Sequence, residues 1–206
     1  MTMAEVAALA GSYLLGSIPT SYLAGRLFKG LDLREHGSKN LGATNVYRIM
    51  GWRFAIPVGM FDVAKGAVPV LLFGPAAGGA PWFPLLCGVL AVVGHVFSVF
   101  VGFKGGKGVA TSAGVVLGLA PMAVGICLLV WAAIVWLSGY VSLGSVVATG
   151  VFPALVWLLY PARRGAIGVY VLLAAVIIWM HRSNIRRLMA GTENRFGRRA
   201  TGQPAP

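Results

Sequence analysis

The sequence predicts an all-α polytopic membrane protein of about seven transmembrane helices, amino terminus outside and carboxyl terminus cytoplasmic. Three observations carry this. The 206 residues are 58% hydrophobic and 11% charged, where a soluble domain has about 25% charged residues. The apolar residues gather in runs of the length that crosses a bilayer. Of the 17 Lys and Arg, all but Arg163 and Arg164 fall in segments that alternate crossing places on one side, the bias that orients membrane helices.

The first apolar segment, 4–25, has no Lys or Arg before Arg26. It lacks the basic leading region of a signal peptide and reads as a helix whose amino end faces outward. The second, 54–74, carries Asp62 and Lys65, three apart and on one helical face. Charges at that depth are costly and face a bundle interior; mutual pairing is the first reading, lining a cavity the second. The third, 81–101, contains His95, which reads more readily as a hydrogen-bonded structural histidine than as a chemical group.

Segments 109–121 and 122–140 meet at Gly118-Leu119-Ala120-Pro121. One long helix there would leave six spans and send Arg182, Arg186, Arg187, Arg195, Arg198 and Arg199 outward. Two short or broken spans keep them inside, and broken helices are tolerated where they line a cavity. Segments 143–160 and 166–181 complete the set. With no shift of composition and no internal repeat, residues 1–206 read as a single domain. The net charge of +12 is then topology and anionic-ligand chemistry, and nucleic-acid binding is disfavoured. Cys87 and Cys127 lie in apolar runs as packing residues; no disulfide framework or metal-ligand spacing is present.

Three polar islands interrupt this background, and the topology puts them on one face. The first runs His36-Gly37-Ser38-Lys39-Asn40-Leu41-Gly42-Ala43-Thr44-Asn45-Val46-Tyr47-Arg48. It offers hydroxyls, amides and a guanidinium able to grip an oxyanion with two parallel hydrogen bonds. Its plain alternative is a loop and an amphipathic helix capped by Ser38 or Asn40.

The second is Phe103-Lys104-Gly105-Gly106-Lys107-Gly108-Val109-Ala110-Thr111-Ser112. Glycines bring backbone N–H groups close to a ligand, a following helix start adds unpaired donors, and lysines add charge: the chemistry of a phosphate loop. Gly106-Lys107 lacks both the earlier glycine and the following Ser or Thr of a nucleotide P-loop, and Gly-x-Gly-x-x-Gly is absent. Lysines that merely snorkel at a membrane edge are the alternative, but they leave the glycines unexplained.

The third island is His181-Arg182-Ser183-Asn184-Ile185-Arg186-Arg187-Leu188 followed by Gly191-Thr192-Glu193-Asn194-Arg195-Phe196. His181, Asn184 and Leu188 share a helical face, and the arginines suit lipid headgroups. Glu193 pairs with a basic neighbour in this reading. Tyr140, Ser142 and Ser145 add hydroxyls at an inner turn.

Taken together, Gly37-Ser38 through Arg48, Gly94-His95 through Thr111, and His181-Arg182-x-Asn184-Ile185 through Glu193 resemble the three motifs of the bacterial acyl-phosphate-dependent glycerol-3-phosphate acyltransferases. The likeness runs over nearly the whole chain, in order and spacing. It implies transfer of a fatty acyl group from acyl phosphate to the 1-hydroxyl of sn-glycerol 3-phosphate, giving lysophosphatidic acid and phosphate in phospholipid synthesis. It also implies a multi-pass protein of the bacterial inner membrane, active on its cytoplasmic face, with the two substrates and membrane lipids as partners and no cofactor or metal.

Carried over residue by residue, the resemblance makes Ser38, Arg48, Lys104, His181 and Asn184 catalytic. It gives substrate binding to Asn40, Gly42, Thr44, Asn45, Gly105, Gly106, Lys107, Gly108, Thr111 and Ser142, and a structural part to Glu193. Lys39 stands where the family commonly has glycine, and Ser98 where it commonly has proline. Proximity of hydroxyl and acyl carbonyl would supply much of the catalysis, with Ser38, Asn184, Lys104 and loop N–H groups as oxyanion donors. The His-x-x-x-x-Asp pattern of acyl-CoA acyltransferases is missing: Leu41, Phe100 and Arg186 stand five residues after His36, His95 and His181. His181 is therefore read as orienting substrate, with the departing phosphate taking the proton. The competing class is a phosphate or organophosphate transporter, which broken spans and buried charges would also serve. Clustering of the polar islands on one side and the lack of an inverted repeat speak against it.

Overall fold

The computed structural model describes residues 1–196, all helices and connections; Arg198 and Arg199 of the tail lie outside the described residues. The chain forms two compact units, the first Met1–Leu119 and the second beginning at Ala120.

In the first unit, α1 (Met3–Ser17) opens on a capping box, in which Thr2 Oγ1 accepts from the Glu5 N–H and the Glu5 carboxylate accepts from the Thr2 N–H. Ile18-Pro19 breaks the chain, because proline offers no N–H and disfavours a helical residue before it. Helix α2 (Thr20–Lys29) then runs to Gly30 at φ 64°, a left-handed cap. The expected span 4–25 is thus two helices. The first island ends in α3 (Ala43–Met50), and α4 (Trp52–Val68) continues through a π-helical turn at Pro69–Phe73 into α5 (Gly74–Ala76). Pro69 removes a backbone donor where the ladder widens.

Helix α6 (Phe83–Val96) is followed by a 3₁₀ turn at Val99–Val101, then by the glycine–lysine loop and α7 (Val109–Leu119). Small residues let these helices touch. A Cβ on Gly16 would strike the backbone of Ala91, and one on Gly94 the Tyr13 carbonyl, where α1 packs on α6. Gly66 and Gly114 do the same between α4 and α7, against the carbonyls of Thr111 and Val63. Close approach at small residues is how helices gain dispersion contacts in lipid.

In the second unit, α8 (Pro121–Ser138) starts at the expected break, packs on α9 (Val141–Leu159), and α9 packs on α10 (Ile167–Met180), reached by a 3₁₀ turn at Pro161–Ala166. His181 joins α10 to α11 (Arg182–Met189). Five stretches among the described residues are long and apolar enough to cross a membrane: Trp52–Ala76, Phe83–Val101, Pro121–Ser138, Val141–Leu159 and Pro161–Met180. They match five of the seven expected segments. The other two are α1 with α2, divided at Pro19, and α7, whose 11 residues extend about 16 Å, about half a bilayer core.

Candidate active site

The first island is a knotted loop. Asn45, on α3 and 1% exposed, takes the Ser38 N–H on Oδ1 at 2.8 Å. Its amide nitrogen donates to the carbonyls of Leu33 and His36, each at 3.1 Å. Both amide hydrogens are engaged, so Asn45 positions the loop. Gly37 at φ 60° lies so near Asn45 Oδ1 that a Cβ would collide. The cap of α3 is Gly42, in extended conformation, rather than Ser38 or Asn40. Ser38, Asn40, Thr44 and Arg48 are half-buried on this loop and helix. Leu33, Leu41, Val46, Met50, Val58 and Val101 form the apolar cluster beneath them.

An ionic clamp closes the loop's entrance. Arg34 grips Asp32 with Nε at 3.0 Å and Nη2 at 2.7 Å, stacks over Tyr22, and donates to the Val101 carbonyl at 3.3 Å. The hydrogen bonds from Arg34 overcome partial burial and bring the Asp32 carboxyl down to about 2. Val101 lies just before the glycine–lysine loop, so the clamp joins the first two islands.

In that loop the Gly105 N–H donates to the Val96 carbonyl at 3.0 Å and the Gly106 N–H to the His95 carbonyl at 3.1 Å. These two N–H groups complete the end of α6, which corrects the expectation that they face a ligand. The glycines are needed for contact: a Cβ on Gly105 would meet the His95 carbonyl, and one on Gly106 the His95 ring and the Leu41 carbonyl. Gly108 turns at φ 86° into α7, whose first N–H groups have no partner within the helix. Lys104 is exposed and Lys107 half-buried. Thr111 is fully buried, and its hydroxyl has no hydrogen-bond partner among the described residues.

A small cleft lies beside these glycines. Ile18, Pro19 and Thr20 from the helix break, Leu41 from the first island, and Lys65, His95, Ser98, Gly105 and Gly106 line it. Lys65 Nζ sits 2.7 Å from Asp62 Oδ1 and donates to the Ile18 carbonyl at 2.8 Å. Thr20 Oγ1 donates to the same Asp62 oxygen at 2.5 Å, and His95 Nδ1 lies 3.7 Å from it. Ser98 donates to the Ser17 carbonyl. The pairing of Asp62 with Lys65 was readable from their spacing. Thr20 and the approach of His95 were not, because they depend on the helix break at Pro19 and on packing across α4 and α6.

In the second unit Glu193 gathers the third island. Its Oε1 accepts from Asn184 Nδ2 at 2.7 Å and Ser142 Oγ at 2.8 Å, and its Oε2 from Arg187 Nε at 2.6 Å. Burial opposes its ionisation, but the hydrogen bonds from Asn184, Ser142 and Arg187 prevail and hold the carboxyl below the usual range. His181, 4% exposed, has Nδ1 2.8 Å from the Ile177 carbonyl. A carbonyl only accepts, so Nδ1 carries the proton, and in the neutral ring Nε2 is an acceptor.

The family model that describes glycerol-3-phosphate acyltransferase matches residues 6–191. A glycerol-3-phosphate acyltransferase of Trichlorobacter lovleyi is 48% identical, over 91% of this chain and 95% of its own. One from Chlorobaculum parvum is 42% identical, over 92% and 96%. The crystal structure of PlsY, an integral membrane glycerol 3-phosphate acyltransferase, in its glycerol 3-phosphate form superposes with a TM-score of 0.87 at 40% identity, covering 94% of this chain and 96% of that one. Its lysophosphatidic acid form superposes with a TM-score of 0.81 at 36% identity.

Proposed function

The chain belongs to the glycerol-3-phosphate acyltransferase family, and from that premise we propose that it transfers a fatty acyl group from acyl phosphate to the 1-hydroxyl of sn-glycerol 3-phosphate. It is an integral membrane acyltransferase. The observation that carries the reading is the likeness, over 94% of the chain, to a solved acyltransferase in its glycerol 3-phosphate form.

In the proposed reaction the acceptor hydroxyl oxygen bonds to the acyl carbonyl carbon and the bond from that carbon to the phosphate oxygen breaks. The hydroxyl proton leaves with phosphate, and lysophosphatidic acid is released. Ser38, Arg48 and Lys104 act on the phosphates and the developing oxyanion, Arg48 by its two-pronged geometry and Lys104 as a mobile charge. His181 and Asn184 orient substrate, their side chains held by Ile177 and Glu193. Asn40, Gly42, Thr44, Asn45, Gly105, Gly106, Lys107, Gly108, Thr111 and Ser142 bind or shape substrate sites; Glu193 is structural.

The activity is assigned to residues 1–206 as one domain of seven spans, counting the broken first helix and the short α7. The amino terminus lies outside, and the polar islands and carboxyl terminus face the cytoplasm of a bacterial inner membrane. The positive charges of the intervening segments support this orientation.

The test is direct. Purified protein in detergent releases phosphate from acyl phosphate only when glycerol 3-phosphate is present, one lysophosphatidic acid per phosphate. Phosphate release without acceptor, or movement of glycerol 3-phosphate across vesicles without acylation, would overturn it.

A further inference from the structure

The mechanism above makes no use of Asp62 and Lys65, whose side chains are 2% and 1% exposed. A buried ion pair is weak support for a fold, since apolar side chains of similar size often serve packing as well. Its location gives it another use. Lys65 takes the carbonyl at the end of α1, and Asp62 takes the hydroxyl at the start of α2. The pair spans both sides of the Ile18-Pro19 break, with a cation at the negative end of a helix.

Asp62 Oδ1 also faces the His95 ring, and His95 is the residue on which the glycine loop rests. Its carbonyl accepts from Gly106 and its ring lies against the α-carbon face of Gly106. Thr20, Lys65, His95, Gly105 and Gly106 all line one cleft. A shift of the His95 ring would therefore be felt at Gly106 without passing through any residue given a catalytic part.

We propose that Asp62 and Lys65, with Thr20, are positioning residues for acceptor binding: they fix the helix break and the His95 ring, and His95 fixes Gly105 and Gly106. The proposal rests on the reading that this loop holds the phosphate of glycerol 3-phosphate.

Two replacements test it in purified enzyme at saturating acyl phosphate. The charge-neutral double change Asp62→Asn with Lys65→Met leaves no lone buried charge, and Thr20→Val removes one donor at constant size. The double change raises KM for glycerol 3-phosphate about tenfold with kcat within about threefold, and Thr20→Val raises KM about threefold. KM for acyl phosphate stays within error of the wild type, a selectivity for one substrate that a purely structural role does not predict.

Gly106→Ala also raises KM for glycerol 3-phosphate. Added to it, the Asp62/Lys65 change raises KM by less than about twofold more, because both act through one contact. Unchanged KM in the variants, multiplication of the two effects, or loss of kcat with normal KM would overturn the proposal. If the double change does not fold, an unchanged KM in Thr20→Val overturns it. Absence of acylation by the wild type refutes the proposed function; normal wild-type acylation with unaltered variants refutes only the positioning role.

Discussion

The side-chain amide of Asn184 donates to Glu193 Oε1 at 2.7 Å, and the two residues are 5% and 7% exposed. Nine positions apart, they join α11 to the segment that follows it, and Ser142 ties both to the start of α9. Asn184 thereby presents a defined amide orientation, with one face committed to the carboxylate.

Glu193→Ala removes the acceptor from three donors, two of them buried. Leaving a buried donor unsatisfied costs about 1–3 kcal/mol, while the half-exposed Arg187 is taken up by solvent, so the thermal midpoint in detergent falls and activity falls with it. Asn184→Asp places a second carboxylate against Glu193 and lowers the midpoint too. Unaltered melting in both variants would remove Glu193 from its structural part.

The Asp32 clamp has a pH signature. Its folded carboxyl titrates at about 2 because Arg34 hydrogen-bonds the ionised form, against about 3.9 in an unfolded chain. The lowered folded value means the stabilisation is fully present above the unfolded value and is lost as pH falls towards 2. Arg26 and Arg34 are 47% and 34% exposed, so solvent screens the pair and the effect weakens with salt. Melting the wild type and Asp32→Asn from pH 5 to pH 2.5 checks this. The two curves converge at the acid end, and parallel curves would show that Asp32 contributes nothing to acid sensitivity.

Long apolar runs made the five complete spans legible, and Ala120-Pro121 marked the start of α8. Pro19 was an equally local signal, but the run 4–25 is apolar on both sides of it and concealed the break. The candidate site divides in the same way. Spacing exposed the Asp62–Lys65 pair. It could not reveal that Asn45 binds its own loop, that Gly105 and Gly106 give their N–H groups to α6, or that Thr20 meets Asp62 from 42 positions away. Those relations are set by packing between segments distant in sequence.

Lys39 adopts φ 57°, a left-handed conformation that costs a side-chain-bearing residue about 1–2 kcal/mol. Glycine escapes that cost but gives up about 0.5–1 kcal/mol in chain entropy. Lys39→Gly therefore stabilises the protein by up to about 1 kcal/mol, read as a small rise in thermal midpoint with kcat and KM unchanged. A fall in kcat/KM would assign the Lys39 ammonium a part in collecting anionic substrate.

His181→Gln distinguishes the two fates of the acceptor proton. With Nδ1 committed to the Ile177 carbonyl, the ring offers Nε2 either to orient the hydroxyl or to accept its proton. If it orients and phosphate takes the proton, glutamine preserves part of the hydrogen bonding and kcat falls about tenfold to a hundredfold. The pH profile of kcat/KM then keeps its acidic limb, since no histidine base has been removed. If His181 is the base, turnover is abolished while both substrates bind with unchanged affinity, and that limb vanishes from any residual activity. Single-turnover measurements with direct binding of each substrate separate these outcomes, and the first is expected because the sequence gives His181 no carboxylate at the spacing that would activate a base.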